Sequence, residues 1–260
     1  MLYLQRVPRP PLSRFVEVLW LYDGFAVSHS RERLLPTGTV ELVVNLREDQ
    51  PDFREPVVAG PHSRHSLLDT AHTASVMGAH FRPGGAFPFL GLPLGELHNL
   101  DVRLETLWGA RAAELRERIL AAPSHQARFE LLEGALLAAA RSLARHPAVA
   151  FALRELSVVP RARSVADVVG DVGLSQRGFI ERFRHEVGLT PKLFSRVMRF
   201  QEVIRRVHPA RQVDWSEVAL GCGYYDQAHF INDFRDFSGL TPAAYLASKS
   251  EHQNHVPLPE

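Results

Sequence analysis

Arginine, glutamine, asparagine and glutamate can hydrogen-bond the exposed edges of base pairs, and one arginine can take O6 and N7 of a guanine together. Such residues gather in two stretches of the 260-residue chain, Gln176 to Pro191 and Gln227 to Pro242. A helical advance of ~100° per residue puts Arg177, Ile180, Glu181 and Arg184 opposite the apolar Phe179 and Phe183. Arg177 is the candidate for a guanine. Glu181 is an acceptor for a cytosine amine, or the partner of a neighbouring arginine. Gln176 opens the same helix, and Gln227, Ala228 and Asn232 are the matching candidates in the second stretch. Ile180 and Ile231 either meet a thymine methyl or bury against the bundle. Arg184 and Arg235 suit phosphates, contacts that position a protein without reading sequence.

The other reactive side chains form no recognisable centre. Cys222 is the single cysteine, which excludes an internal disulfide and a cysteine zinc site. It sits between Gly221 and Gly223, where a packed small hydrophobe is favoured over a reactive thiol. His62, His65, His72 and His80 match no metal-ligand spacing, so no metal is expected. Arg82, ahead of Pro83 and two glycines, is either a turn residue or a group facing an anionic effector. Phosphate-cradling loops, a nucleophile elbow and paired carboxylates are missing from the sequence, so neither catalysis nor a cofactor is expected.

The two stretches agree at nine of sixteen ungapped positions at an offset of 51 residues, which reads as an internal structural repeat. In each copy a short helix (Ser164 to Asp171, or Asp214 to Leu220) meets a glycine turn. A second helix then starts at Ser175 or Asp226. Ser164 with Asp167 and Asp214 with Glu217 form capping-box patterns. Thr190-Pro191 and Thr241-Pro242 place a capping oxygen before a proline at the first helical position. Phe179 and Phe183, and Phe230, Phe234 and Phe237, are spaced as buried faces. This is a helix-turn-helix pattern, or a helical hairpin with no ligand. The joining helix, Pro191 to His208, carries an apolar stripe of Leu193, Val197, Phe200, Ile204 and Val207 with Arg196, Arg199, Arg205 and Arg206 off it. Such a linker fixes the distance between two recognition helices, which enter successive major grooves when it is near ~34 Å.

The first hundred residues read differently. Val40 to Leu46, Val57 to Ala59 and Ser75 to Phe81 are strand candidates, and Ala110 to Ala121 and Gln126 to His146 are helical in composition. The expected class is α+β: a β-rich N-terminal domain over 1–147 that turns helical after about 100, an all-α domain over 155–249, and a flexible tail over 250–260. Hydrophobic content of 45% with 23% charged residues is that of a soluble globular chain. With no membrane-length apolar run and no signal-peptide pattern, a cytoplasmic protein is expected. Net charge is only +1, yet 160–211 holds eleven Lys/Arg against five acids and 212–249 two against five. A basic module thus adjoins an acidic one.

The stretch Ala219-Leu220-Gly221-Cys222-Gly223-Tyr224-Tyr225-Asp226-Gln227-Ala228-His229-Phe230, continued by Phe234-Arg235 and Gly239 to Tyr245, resembles the signature of the AraC/XylS family of bacterial transcription regulators. The similarity runs from Ser164 to Tyr245. Asn232 and Glu181 stand where the family usually has a basic residue, and Val169 where it has alanine. Leu35 to Leu42 and His80 to Gly85 are similar to an uncharacterised N-terminal domain of one branch of that family. The resemblance implies sequence-specific binding of double-stranded DNA, with RNA polymerase as the expected protein partner. It leaves a small-molecule effector and a homodimer open. The competing reading is a small-molecule- or metal-dependent β-domain protein whose helical part, acidic in its second half, serves as a protein-interaction module.

Overall fold

The computed structural model describes residues 2–47, 55–70, 74–158 and 163–258. His72 and Arg161 lie outside them. The N-terminal region contains β1 (Leu2–Arg6), β2 (Val16–Phe25), β3 (Arg31–Leu34), β4 (Glu41–Asn45), β5 (Val57–Ala59), β6 (Ser66–Asp69), β7 (Ala74–Phe81), α1 (Phe87–Leu90), β8 (Asp101–Arg103), α2 (Leu104–Trp108), α3 (Ala110–Leu120) and α4 (His125–Ala139). Six strands form an antiparallel sheet in the order β1-β2-β7-β4-β5-β8. Alternation along the strands buries Leu19, Leu21, Leu42, Val44, Met77, Ala79 and Phe81 on one face. Trp108, Leu115, Ile119, Phe129, Leu132 and Leu136 of the helices cover that face.

The C-terminal region is helical: α5 (Pro147–Leu156), α6 (Val165–Asp171), α7 (Gln176–Val187), α8 (Pro191–Val207), α9 (Trp215–Gly221), α10 (Gln227–Ser238) and α11 (Pro242–Ser248), followed by a strand, β9 (His255–Pro257). These helices share a second core, which also takes in Leu35 from the sheet region and Val256 from the tail. α5 occupies a stretch that sequence had left between the domains; it buries Val149, Ala152 and Leu156 in this core. α8 runs through the middle. Its buried stripe is Phe194, Val197, Phe200, Val203, Ile204 and Val207, whereas Leu193 is only half-buried.

The expected helix over Gln126 to His146 stops at Ala139, because Ala140 turns extended and the Arg141 N–H goes to the Pro88 carbonyl of α1. The tail is likewise not frayed. β9 pairs with β3 (Glu32↔Pro257, Arg33↔Val256, Leu34↔His255), and Val256 is buried. Pro257 had suggested a disordered end, but β9 is the edge of a β6-β3-β9 sheet, where proline is tolerated. The Tyr245 hydroxyl donates to Gln253 O at 2.8 Å, and His255 Nδ1 lies 2.7 Å from Glu32 Oε1.

Arg196 fastens α8 to α10. Its Nη2 reaches Asp233 Oδ1 at 2.7 Å and Asp236 Oδ2 at 3.0 Å, and its guanidinium lies 5.1 Å above the Phe237 ring. Arg196→Ala takes both side-chain hydrogen bonds from the buried Asp233, leaving only His229 at 3.8 Å, and should cost roughly 3 kcal/mol, while Asp236→Ala removes an exposed carboxylate and should cost less than about 1 kcal/mol. Urea denaturation of the two variants checks this; equal losses would mean the buried half of the bridge is not the anchor. Removing residues 251–260 exposes the site of Val256 and should lower stability by about 1.5–3 kcal/mol. An unchanged unfolding midpoint would show that β9 adds nothing.

Candidate nucleic-acid interface

In each copy of the repeat the local chemistry builds the same corner. α6 and α7 meet at Gly173 (φ 67°), and α9 and α10 at Gly223 (φ 77°), left-handed positions that suit glycine. Ser164 and Asp167 cap each other reciprocally, whereas Asp214 accepts from Ser216 and Glu217 N–H groups and Glu217 returns no bond. Ser175 accepts from Gly178 N and Asp226 from His229 N, fixing where each second helix begins. Phe183 packs on Phe194 with ring centroids 5.6 Å apart, and Phe234 and Phe237 each lie 5.3 Å from Phe200. Both second helices therefore hang from α8 by their aromatic faces.

Their other faces are open. Gln176, Arg177, Glu181 and Arg184 on α7 are exposed, as are Gln227, Ala228, Asn232 and Arg235 on α10. Ile180 and Ile231 are half-buried against the core. Arg177 Nε donates to Glu181 Oε1 at 2.9 Å, so the two candidate readers of α7 are already joined. Arg184 sits beside Gly95 of the N-terminal region. Sequence reasoning passed over Tyr225, which is 92% exposed, and Leu220, at 75%; both flank the turn of the second motif. The one available signal was that Tyr225 follows Tyr224, and only one of two adjacent tyrosines could enter the core.

The acids of the second motif do not form an open acidic face. Asp214 and Asp226 are spent on helix caps, and Asp233 and Asp236 on Arg196. In α8, Glu202 binds Arg205 at 2.7 Å and Arg206 at 2.6 Å. Cys222 is buried, and burial pushes its thiol up to about 11, the state of an inert packed side chain. Arg82 bonds the Ser13 carbonyl as a turn residue. His62 pairs with Asp101 at 2.9 Å, and His80 lies between Glu41 and Thr39, both at 3.3 Å. Burial opposes charge on His80, but the Glu41 carboxylate outweighs it and holds the imidazole above its ordinary value.

The N-terminal motifs lie along the seam with the helices. Gly38 (φ 71°) packs against Val197 of α8 and Leu189, Gln201 Nε2 donates to Pro36 O at 2.9 Å, and Gly84 lies against Glu186 and Val187.

Residues 168–248 match a family described as a helix-turn-helix domain, and residues 4–103 match a domain of unknown function, DUF6597. No curated protein matches the chain. Among solved structures, a regulator with an AraC-type DNA-binding domain from Chromobacterium violaceum is 20% identical, over 40% of this chain and 94% of that one, with a TM-score of 0.35. Apo ToxT from Vibrio cholerae is 12% identical over 88% of this chain and 92% of its own, with a TM-score of 0.40. A DNA-binding transcriptional dual regulator from Escherichia coli K-12 is 19% identical over 39% and 93%, at 0.32. With a matched helix-turn-helix domain that carries two turn-bearing motifs on one linker helix, behind a DUF6597 domain, the chain has the make-up of a DNA-binding transcription regulator.

Proposed function

We propose that α7 and α10 are the recognition helices and that their exposed residues are the DNA contacts. The observation that carries this is the equivalence of the two faces: each helix buries its phenylalanines on α8 and leaves Gln176, Arg177 and Glu181, or Gln227, Ala228 and Asn232, at matching solvent positions. α8 has 17 residues. That makes it about 25 Å long, shorter than the ~34 Å groove repeat, so the reach to successive grooves also depends on how far α7 and α10 project from its two ends. In this reading the Arg177 guanidinium, oriented by Glu181, offers its remaining donors to a guanine, and Glu181 takes a neighbouring cytosine amine. Arg184 and Arg235 hold phosphates. The role is binding without catalysis, in the cytoplasm, with RNA polymerase the macromolecule to be met at a promoter.

A second element of the proposal is an effector. A cleft of about 730 Å³ opens between the sheet, α8 and the tail, lined by Gln5, Thr39, His80, Met198, Gln201 and Asn254 among others. Its lining sets Arg6, Glu17 and several carboxamides on a largely apolar wall of Val7, Val18, Pro83 and Met198, which suits a small amphipathic molecule, and one occupant would touch both regions of the chain.

Arg177→Ala should weaken specific binding by ~1–3 kcal/mol and relax preference at one base position. Arg184→Ala should weaken binding to all sequences and lower the salt slope by about one. Gln227→Ala and Asn232→Ala should do less than either, since the second motif is poorer in positive charge. Titrations over a salt series check this, and larger losses from the second motif would reverse the assignment. For the cleft, thermal-shift screening of small amphipathic metabolites should find ligands that stabilise the wild type but not Met198→Trp, in which the cleft is filled. Ligands that stabilise both bind elsewhere.

A further inference from the structure

The repeat is used twice, and its second use lies at the far end of each recognition helix from the candidate base readers. α7 ends at Gly188 (φ 91°) and α10 at Gly239 (φ 68°), equivalent positions of the two copies. Both glycines are pressed against one segment of the N-terminal region. A Cβ on Gly188 would collide with the Pro61 ring, and one on Gly239 would fall 2.5 Å from His65 Cε1. The contact to α10 is also directional: the His65 N–H donates to Phe237 O at 2.8 Å and Arg33 Nη1 to Ser238 O at 3.2 Å. Two carbonyls of the last turn of α10, which a helix leaves without partners, are thus satisfied from outside the helical region.

The segment itself is braced. Gly60 N–H donates to Leu100 O at 2.9 Å, Ser63 N–H to Asn99 Oδ1 at 2.8 Å, and a Cβ on Gly60 would strike the Leu97 carbonyl. Pro61 to His65 is therefore a stiff ridge resting on the loop behind it. On α8 the apolar packing of α10 is non-directional, with Arg196 as its polar tether; the hydrogen bonds to the helix-end carbonyls add a second fixed point, which a pivot about the first would break.

We propose that this ridge fixes the distance and phase between α7 and α10, so that Arg33, Pro61 and His65, which touch no DNA, determine the half-site spacing the protein accepts. The inference rests on the reading of α7 and α10 as the recognition helices. One base pair moves a half-site by ~3.4 Å and turns it by ~34°, more than a braced pair of helices can follow.

The test uses the full-length chain in a selection from duplexes carrying two half-sites and a spacer of variable length. The wild type should prefer one spacing by about tenfold over spacers one base pair longer or shorter. Arg33→Ala, which loses the bond to Ser238 O, and His65→Pro, which loses the N–H given to Phe237 O, should reduce that preference to about threefold or less. Both should keep affinity for a single half-site within about twofold of wild type. Circular dichroism establishes that each is folded, and Arg33→Ala carries the test alone if His65→Pro is not. Spacing preference unchanged in the folded variants, or a parallel loss of single half-site affinity, overturns the proposal. A wild type with no sequence preference at all overturns the recognition-helix reading instead.

Discussion

Neither helix-turn-helix motif can bury its own phenylalanines. Phe183 of α7 needs Phe194, and Phe234 and Phe237 of α10 need Phe200; all three partner contacts are made on the single helix α8. A repeat unit too small to close its own core must stack on a shared element. α6 and α9 have only seven residues each, below the length at which a helix holds itself in water. They persist because Ser164 and Asp214 cap them and because Val168 and Ala219 enter the common core. The placement of α7 and α10 thus follows from the apolar stripe of α8, and a change in that stripe would displace both motifs together.

The same helix explains why bulk charge is a poor guide to the DNA-facing field. Arg196, Arg205 and Arg206 count toward the basic block, yet each is bound to an acid of α8 or α10. Arg199 lies 5.3 Å over the Tyr224 ring, inside the helical domain. The cations left facing outward without an acid partner among the described residues are fewer: Arg182, Arg184 and Lys192 near the first motif, Arg211 after α8 and Arg235 in the second motif. The first motif keeps the larger share, so the sign of the asymmetry survives while its size shrinks. Counterion release depends on the charges that can reach phosphates, not on the sum over a segment.

What could be read from sequence is what is decided locally. Caps at Ser175, Thr190, Asp226 and Thr241, turn glycines and the phenylalanine spacing each depend on a few adjacent residues, and all are formed. β4, β5, β7 and α3 were visible for the same reason. β2 was not, because its Val18 to Tyr22 run is apolar on both sides: one face enters the first core, and on the other Trp20 lies across Gly78 and Tyr22 stacks on Tyr3 at 4.5 Å. α5 looked like a linker, and β9 like a loose end, because both are held by residues far away in the chain. Arg196 with Asp233 and Arg33 with Ser238 belong to the same class. Spacing along a sequence carries no trace of a partner 37 or 205 residues distant.

The two N-terminal motifs gain a physical meaning from those distant contacts. Trp20 Nε1 donates to Glu41 Oε1 at 3.2 Å, His80 meets the same oxygen at 3.3 Å, and His80 Nε2 meets Thr39, which bonds Thr37 at 2.7 Å. The chain of bonds ends at Thr37, and its neighbour Gly38 is pressed on α8 through Val197 and Met198. The sheet side of this contact is thus held by polar bonds with defined donors and acceptors, and it meets the linker helix through the apolar packing of Gly38 and the Gln201 bond to Pro36 O. A group entering the cleft beside Thr39 and His80 must either replace one of these bonds or lengthen it. Either change would be delivered to the helix from which α7 and α10 hang. Under the effector proposal the sensing surface and the DNA-positioning element share one wall, so regulation needs no long conformational path.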